Sequence, residues 1–259
     1  MKNEQDCLHF FLEQQNKIIE FYLKEVSLSE KRNQAEIFYL RKKNLLSFEH
    51  QIESFFSHEE NSKIKKNQMI IPNVVLDQSF CDLFRVSQNF ESSPLLNEIY
   101  CLFSSPIDFS WKNKIAMKSE NSFVFRTGFF NHEYAIYDSI LLGFDGLFVY
   151  TKNLDHFKIQ YLLEVGRDFH FPLIFIVQTK KELQTVLETD APYFVISGYA
   201  SLNSRKDLAL LCQLSNLIPQ NSYLMAFCGH LEKKEKNLLH ALGYYIIFQC
   251  CFFSKNQQF

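Results

Sequence analysis

The feature that most constrains this chain is an alternation of strand and helix patterns that begins at Ser122 and runs almost to the end. Phe123–Arg126 reads as a strand, and a helix follows through Tyr134-Ala-Ile-Tyr137 and Leu141-Leu142, stopped by Gly143. Strands are then expected at Gly146–Tyr150, Pro172–Val177, Tyr193–Ile196, Tyr223–Phe227 and Tyr244–Phe248. The helices between them fall at Leu154–Phe169, Lys180–Leu187, Asp207–Leu217 and Leu231–Leu242. Units of this kind, recurring every ~20 to 30 residues, are repeating βαβ modules and call for a parallel sheet. Upstream, Met69–Leu76 is a short apolar run rich in β-branched residues, as in a buried strand. Residues 77–121 are less regular; a helix is expected near Leu95–Phe103 and a strand near Ile107–Phe109. Eight strands in a chain of 259 residues match a (β/α)8 barrel, the TIM-barrel fold. An open doubly wound sheet has less support, because no G-x-G-x-x-G follows any strand.

The first part of the chain is of another kind. Leu8, Phe11, Leu12, Ile18, Ile19, Tyr22 and Leu23 recur at helical spacing, Ser27-Leu-Ser-Glu30 interrupts them, and a second helical stretch follows through Ile37, Leu40 and Leu45. This gives an N-terminal helical extension over 1–66 and a barrel over 67–259. About ten residues follow the last strand, too few for a full eighth helix, so the last helix is expected to be short or missing. The gap makes Phe252-Phe253 the expected contact for a protein partner, since exposed apolar patches mark such sites.

Composition narrows the function. The net charge of −2 lacks the footprint of a general nucleic-acid binder. No window approaches the ~18 apolar residues of a membrane span, and the N-terminus shows no secretory signal pattern. The seven cysteines form no C-x-x-C pair, and the eight histidines show no metal-ligand spacing. No metal site is expected, and the thiols read as reduced and mostly buried in a cytoplasmic protein. Phe occurs 28 times and Gly seven times, all at or after Gly128. The chain before Gly128 therefore has no glycine for a phosphate-cradling loop.

The segment Val124-Phe-Arg-Thr-Gly-Phe-Phe-Asn-His-Glu-Tyr-Ala-Ile-Tyr-Asp138, followed by Leu142-Gly-Phe-Asp145, resembles indole-3-glycerol phosphate synthase. That family carries V-L-R-K-D-F, Y-Q-I-Y-E-A and G-A-D at its third and fourth strands. The likeness continues through Pro172-Leu-Ile, Lys181-Glu-Leu183, Val195-Ile196, Ile218-Pro219 and Cys228-Gly229, and the family also has helices before its first strand. The resemblance implies a barrel, a decarboxylating indole-ring closure in tryptophan biosynthesis, and no cofactor. It also implies a catalytic Lys as general acid and carboxylates that move protons and stabilise cationic intermediates.

Carried onto this chain, those positions hold other residues. The family's I-A-E-x-K falls on Ile71–Val75, placing Asn73 and Val75 where Glu and Lys stand. Its third-strand Lys falls on Thr127, its fifth-strand Glu on Phe175, its sixth-strand Asn on Ser197 and a nearby Arg on Tyr199. Its E-S-G at the seventh strand is Phe227-Cys228-Gly229, and its phosphate-binding G-S falls near Gln249-Cys250. Arg126 and Gly229 keep the family's type. Losing one such group costs about 10² to 10⁴ in rate, so losing all of them leaves no enzyme of this kind.

Three readings follow. The first is a divergent homologue without lyase activity that acts as a binding or scaffold protein, with Arg126, Cys228 and Gly229 as ligand-binding candidates. The second is an active synthase working through residues placed otherwise. The third is a different activity built on Cys228, Arg126 and Asp77, with His230 near the thiol. Arg126 needs a partner anion wherever it is buried; Asp77 and Asp108 are the expected partners, and an internal ion pair fits better than a ligand contact.

Overall fold

A computed structural model describes residues 26–41, 122–197, 204–219, 223–228, 231–244 and 246–251, parts of 17–24, and the strand backbones at 73–76 and 98–103. The first complete element is helix α1, Leu28–Arg41. It starts where the earlier helical pattern breaks, because the Ser27 hydroxyl accepts a hydrogen bond from the Glu30 N–H at 3.2 Å, a serine cap.

Six strands follow from Ser122: β3 Ser122–Gly128, β4 Gly146–Tyr150, β5 Leu173–Val177, β6 Tyr193–Ser197, β7 Tyr223–Cys228 and β8 Ile246–Cys251. Between them lie α2 Tyr134–Leu142, α3 His156–Asp168, α4 Lys180–Leu187, α5 Ser204–Ser215 and α6 Lys233–Ala241. Together these form a parallel α/β half-barrel. The backbones of β1 (Asn73–Leu76) and β2 (Glu98–Phe103) lie in parallel register with each other and with its two edges, β2 with β3 and β1 with β8.

The helix expected over Leu95–Phe103 is a strand where the structure describes it, from Glu98 to Phe103. Ile99, Tyr100, Cys101, Leu102 and Phe103 form an unbroken apolar and aromatic run, which suits a parallel strand covered on both faces and has no helical periodicity. The expected strand near Ile107–Phe109, residues 69–72, the boundary at 66 and the segment after Cys251 lie outside the described residues.

Alternation along each strand divides the core into two layers. Val124, Leu147, Val149, Phe175, Val177, Phe194, Ile196, Ala226 and Cys228 pack with helix residues such as Ile136, Ile159, Leu162, Leu183 and Leu239. Their neighbours Phe125, Phe148, Ile174, Ile176, Val195, Met225, Phe227 and Ile246, equally buried, face the barrel interior. There the Phe148 ring meets Phe125 at 5.0 Å and Phe227 at 5.5 Å between centroids. Gly146 is required for this packing: a Cβ there would run into the Phe125 ring and the Pro172 carbonyl oxygen.

Local chemistry sets the helix ends. Asp155 and Thr179 cap α3 and α4 through the N–H groups of Lys158 and Glu182. Gly143 closes α2 at φ 88°, the left-handed conformation that glycine adopts without strain. Asp145 ties β3 to β4 twice, accepting from the Val124 N–H and donating its own N–H to the Val124 carbonyl, both at 2.9 Å.

Candidate functional site at the barrel mouth

Barrels of this type hold their chemistry at the C-terminal ends of the strands. Here those ends carry Thr127, Ile176, Ser197 and Phe227 on the interior side. In a barrel, alternate strands contribute to one layer, so Thr127 of β3, Ile176 of β5 and Phe227 of β7 share a layer across the interior.

Thr127 is 1% exposed, and its hydroxyl has no hydrogen-bond partner. An unsatisfied buried hydroxyl costs about 1–3 kcal/mol. Its neighbours across the sheet are Phe103 and Phe148 by register. Ser197 is also buried, and Phe227 fills the space beside Phe148. At the rim, Phe129 stacks on Tyr150 with centroids 4.6 Å apart.

The fifth-strand position requires a correction. Phe175 does not face the interior; it packs in the outer layer against the helices. Because the strand period is two, the interior residue at that level is Ile176. The one-residue slip arises because Leu173-Ile-Phe-Ile-Val177 is buried at every position and so carries no alternation to fix its register.

Two of the ligand-binding candidates also face the helix layer. Cys228 is fully buried in the outer core. It therefore does not present a nucleophile at the mouth. Arg126 reaches from β3 to α2, where its guanidinium lies 3.1 Å from the Asp138 carboxylate and donates to the Ser139 hydroxyl at 3.1 Å. Asp138 holds Lys31 of α1 with its other oxygen, also at 3.1 Å. The Arg126 guanidinium also lies over the Phe130 ring at 5.3 Å. Arg126 thus makes an internal ion pair whose acid comes from the following helix. Asp77 and Asp108, the expected partners, lie outside the described residues, as do Gly229, His230, Tyr199 and Phe252-Phe253. Of Asn73 and Val75 the structure gives the backbone, in register with Gln249 and Cys251 of β8.

Sequence reasoning missed Asp138 although it stands in the motif that carries the resemblance. The signal was parity: Arg126 is two residues from Val124, on the face that meets helix α2. It also missed Glu133, whose carboxylate accepts from the Tyr137 hydroxyl at 2.6 Å and from the Tyr161 hydroxyl. Burial raises both phenols, and the carboxylate bond adds to it; Tyr161 is pushed up to about 12. Beside them, burial and then the Lys158 charge lower the imidazole of His132. Its Nδ1 accepts from the Tyr134 N–H at 3.1 Å.

Among the described residues no group of acidic, His and Cys side chains could hold a metal ion, and no helix is long and apolar enough to cross a membrane.

No family model matches this chain. Indole-3-glycerol phosphate synthase of Legionella pneumophila (strain Paris) is 22% identical to it over 120 residues, 46% of this chain and 46% of the synthase. The same enzyme from strain Lens is 22% identical over 118 residues. The chain thus spans about half the length of the curated relatives it matches. Among solved structures, the carboxyl transferase domain of Rhizobium etli pyruvate carboxylase covers 71% of this chain and 41% of its own at a TM-score of 0.52 and 7% identity. A KDPGal structure covers 74% and 88% at a TM-score of 0.51 and 11% identity. These likenesses show a TIM-barrel type of fold. The sequence likeness is a distant one to the synthase, pointing to a related fold.

Proposed function

We propose that this chain is a divergent homologue of indole-3-glycerol phosphate synthase that has lost the lyase activity and serves as a binding or scaffold protein. On this reading the fold is a complete (β/α)8 barrel with a helical extension over 1–66 and a short or missing last helix. The observation that carries the reading is the layer formed by Thr127, Ile176 and Phe227. None of the three can donate a proton as an ammonium does or hold a negative charge as a carboxylate does, which acid–base chemistry at this place needs. The described interior residues of β3 to β8 include no Lys, Asp or Glu. An active synthase would need such groups converging there, so this observation speaks against the second reading. The buried Cys228 speaks against the third.

The test is the family's own reaction. Purified, folded protein is mixed with the carboxyphenylamino-deoxyribulose phosphate, and indole fluorescence is followed beside an active synthase. No turnover is expected. Turnover that persists through repurification overturns the reading.

A further inference from the structure

Away from the barrel mouth, a cavity of about 410 Å³ lies between α1 and the end of α3. It is lined by Arg32, Glu36, Tyr39, Leu40, Asp168 and Phe169. That volume is in the range of small-molecule sites. Helix α1 is seated over α2 through the fully buried Ala35 and the Lys31–Asp138 pair, which places its second half beside α3. The aromatic walls are fixed from behind. Tyr39 packs edge-on against Phe169 with centroids 6.5 Å apart, and Phe169 meets Tyr137 at 5.5 Å. His170 stands at φ 45°, a left-handed turn beyond the helix end where glycine is usual, and its ring stacks on Tyr39 at 6.1 Å.

The charges in this cavity do not balance. Arg32 is committed to both acids, its Nε donating to Glu36 at 3.2 Å and its Nη2 to Asp168 at 3.1 Å. Two carboxylates against one guanidinium leave one negative charge in excess among the lining residues. The second oxygen of each carboxylate has no partner among the described residues. All three side chains are about half exposed, so a ligand reaches them from solvent. The backbone adds to the same sign. Glu36, Tyr39 and Leu40 stand in the last two turns of α1, and Asp168 and Phe169 are the last residue and the C-cap of α3. Both helices therefore present their negative dipole ends here. Arg167, the basic residue in the last turn of α3, is engaged at the Asp190 carbonyl at 2.9 Å. An anion would meet this excess of negative charge. A neutral apolar ligand would strip water from the open oxygens without giving them a donor. A cation satisfies the oxygens and is also attracted to the aromatic rings.

We propose that this cavity is a binding site for a small organic cation, a primary ammonium carried on an apolar body. Its N–H groups donate to the open oxygens of Glu36 and Asp168, and its body lies against Tyr39, Leu40 and Phe169. The site is separate from the barrel mouth, because α3 starts after the C-terminal end of β4 and its last residue lies a helix length away, roughly 20 Å. It stands whether or not the mouth is catalytic.

The experiment uses the full chain and para-fluorophenethylammonium, followed by line broadening in fluorine NMR. Saturable binding is expected, and the corresponding alcohol and carboxylate should bind far more weakly. Glu36→Gln combined with Asp168→Asn should weaken the amine by about fivefold, the effect of removing two exposed charge pairs. Arg32→Gln removes the competing cation and should strengthen it. Glu30→Gln, an exposed acid in the first turn of α1, should leave it unchanged. Melting curves check that each variant is folded, and the comparison of amine, alcohol and carboxylate uses the unaltered chain, so it decides even where a variant loosens α1. No saturable binding, or equal binding of the alcohol or the carboxylate, overturns the proposal. So does weaker binding in Arg32→Gln, or a loss in Glu30→Gln equal to that in the double variant. The same holds if the amine does not bind but a fluorine-labelled apolar peptide with one lysine does, which would make the cavity a protein contact.

Discussion

Arg126 and Asp138 are joined across the seam between strand β3 and helix α2, with nitrogen and oxygen 3.1 Å apart and both side chains largely shielded from water. The carboxylate is shared with Lys31, so one acid holds the barrel wall, its outer helix and the N-terminal helix α1 together. Removing the acid leaves two cations facing each other in a poorly solvated place. Asp138→Ala is expected to destabilise the fold by about 3 kcal/mol, within the range for breaking a shielded ion pair. Urea unfolding followed by circular dichroism measures it. Lys31→Ala, which leaves the Arg126 pair intact, should cost less, and a cost equal to that of Asp138→Ala would sink the shared-carboxylate account.

The lone hydroxyl of Thr127 allows the opposite kind of prediction. Valine has nearly the same shape and no polar atom to satisfy. Thr127→Val is expected to leave stability unchanged or raise it by up to about 1 kcal/mol, because a buried donor without a partner is removed. Thermal unfolding decides this. A clear drop in melting temperature would show that the hydroxyl is hydrogen-bonded in solution.

Much of the barrel was legible in the sequence, for identifiable reasons. The strands after Ser122 are short β-branched or aromatic runs set between amphipathic helices, and the helix over Lys180–Leu187 is found at its expected bounds. Strand β2 was misread because an apolar run of five residues, Ile99–Phe103, carries no period to separate strand from helix. The same absence of alternation hid the facing of β5 and put Phe175 where Ile176 stands. Arg126 shows a different limit. Its burial was foreseeable, and parity with Val124 marks the face of β3 it occupies, but its partner stands on a helix twelve residues further on, whose docking onto that face only the three-dimensional packing determines.

Cys228 gives a kinetic prediction. A thiol with no exposed surface, packed in the core beneath the helices, is inaccessible to reagents in solution. Its alkylation by a maleimide at neutral pH is expected to be limited by unfolding, whereas the partly exposed Cys212 reacts in the folded protein. Peptide mapping by mass spectrometry after timed labelling distinguishes the two sites. Rapid labelling of Cys228 in folded protein would contradict the assigned facing of β7.

The pair of phenols on Glu133 predicts how stability responds to alkali. Burial, together with the bond to the carboxylate, raises Tyr137 and moves Tyr161 from 10.0 to about 12. Both groups hold their protons more tightly in the folded chain than in the unfolded one. Their contribution is therefore complete below pH ~10, the ordinary value for tyrosine, and declines above it as the unfolded state alone releases protons. For Tyr161 the loss is spread from pH ~10 to about 12. Stability measured in urea should fall across that interval. Glu133→Gln removes the negative charge that opposes the phenolates, so the phenols of that variant should titrate at lower pH. Ultraviolet difference titration of tyrosinate in the folded protein reads this directly, and an unchanged titration in Glu133→Gln would mean that burial alone sets the shift.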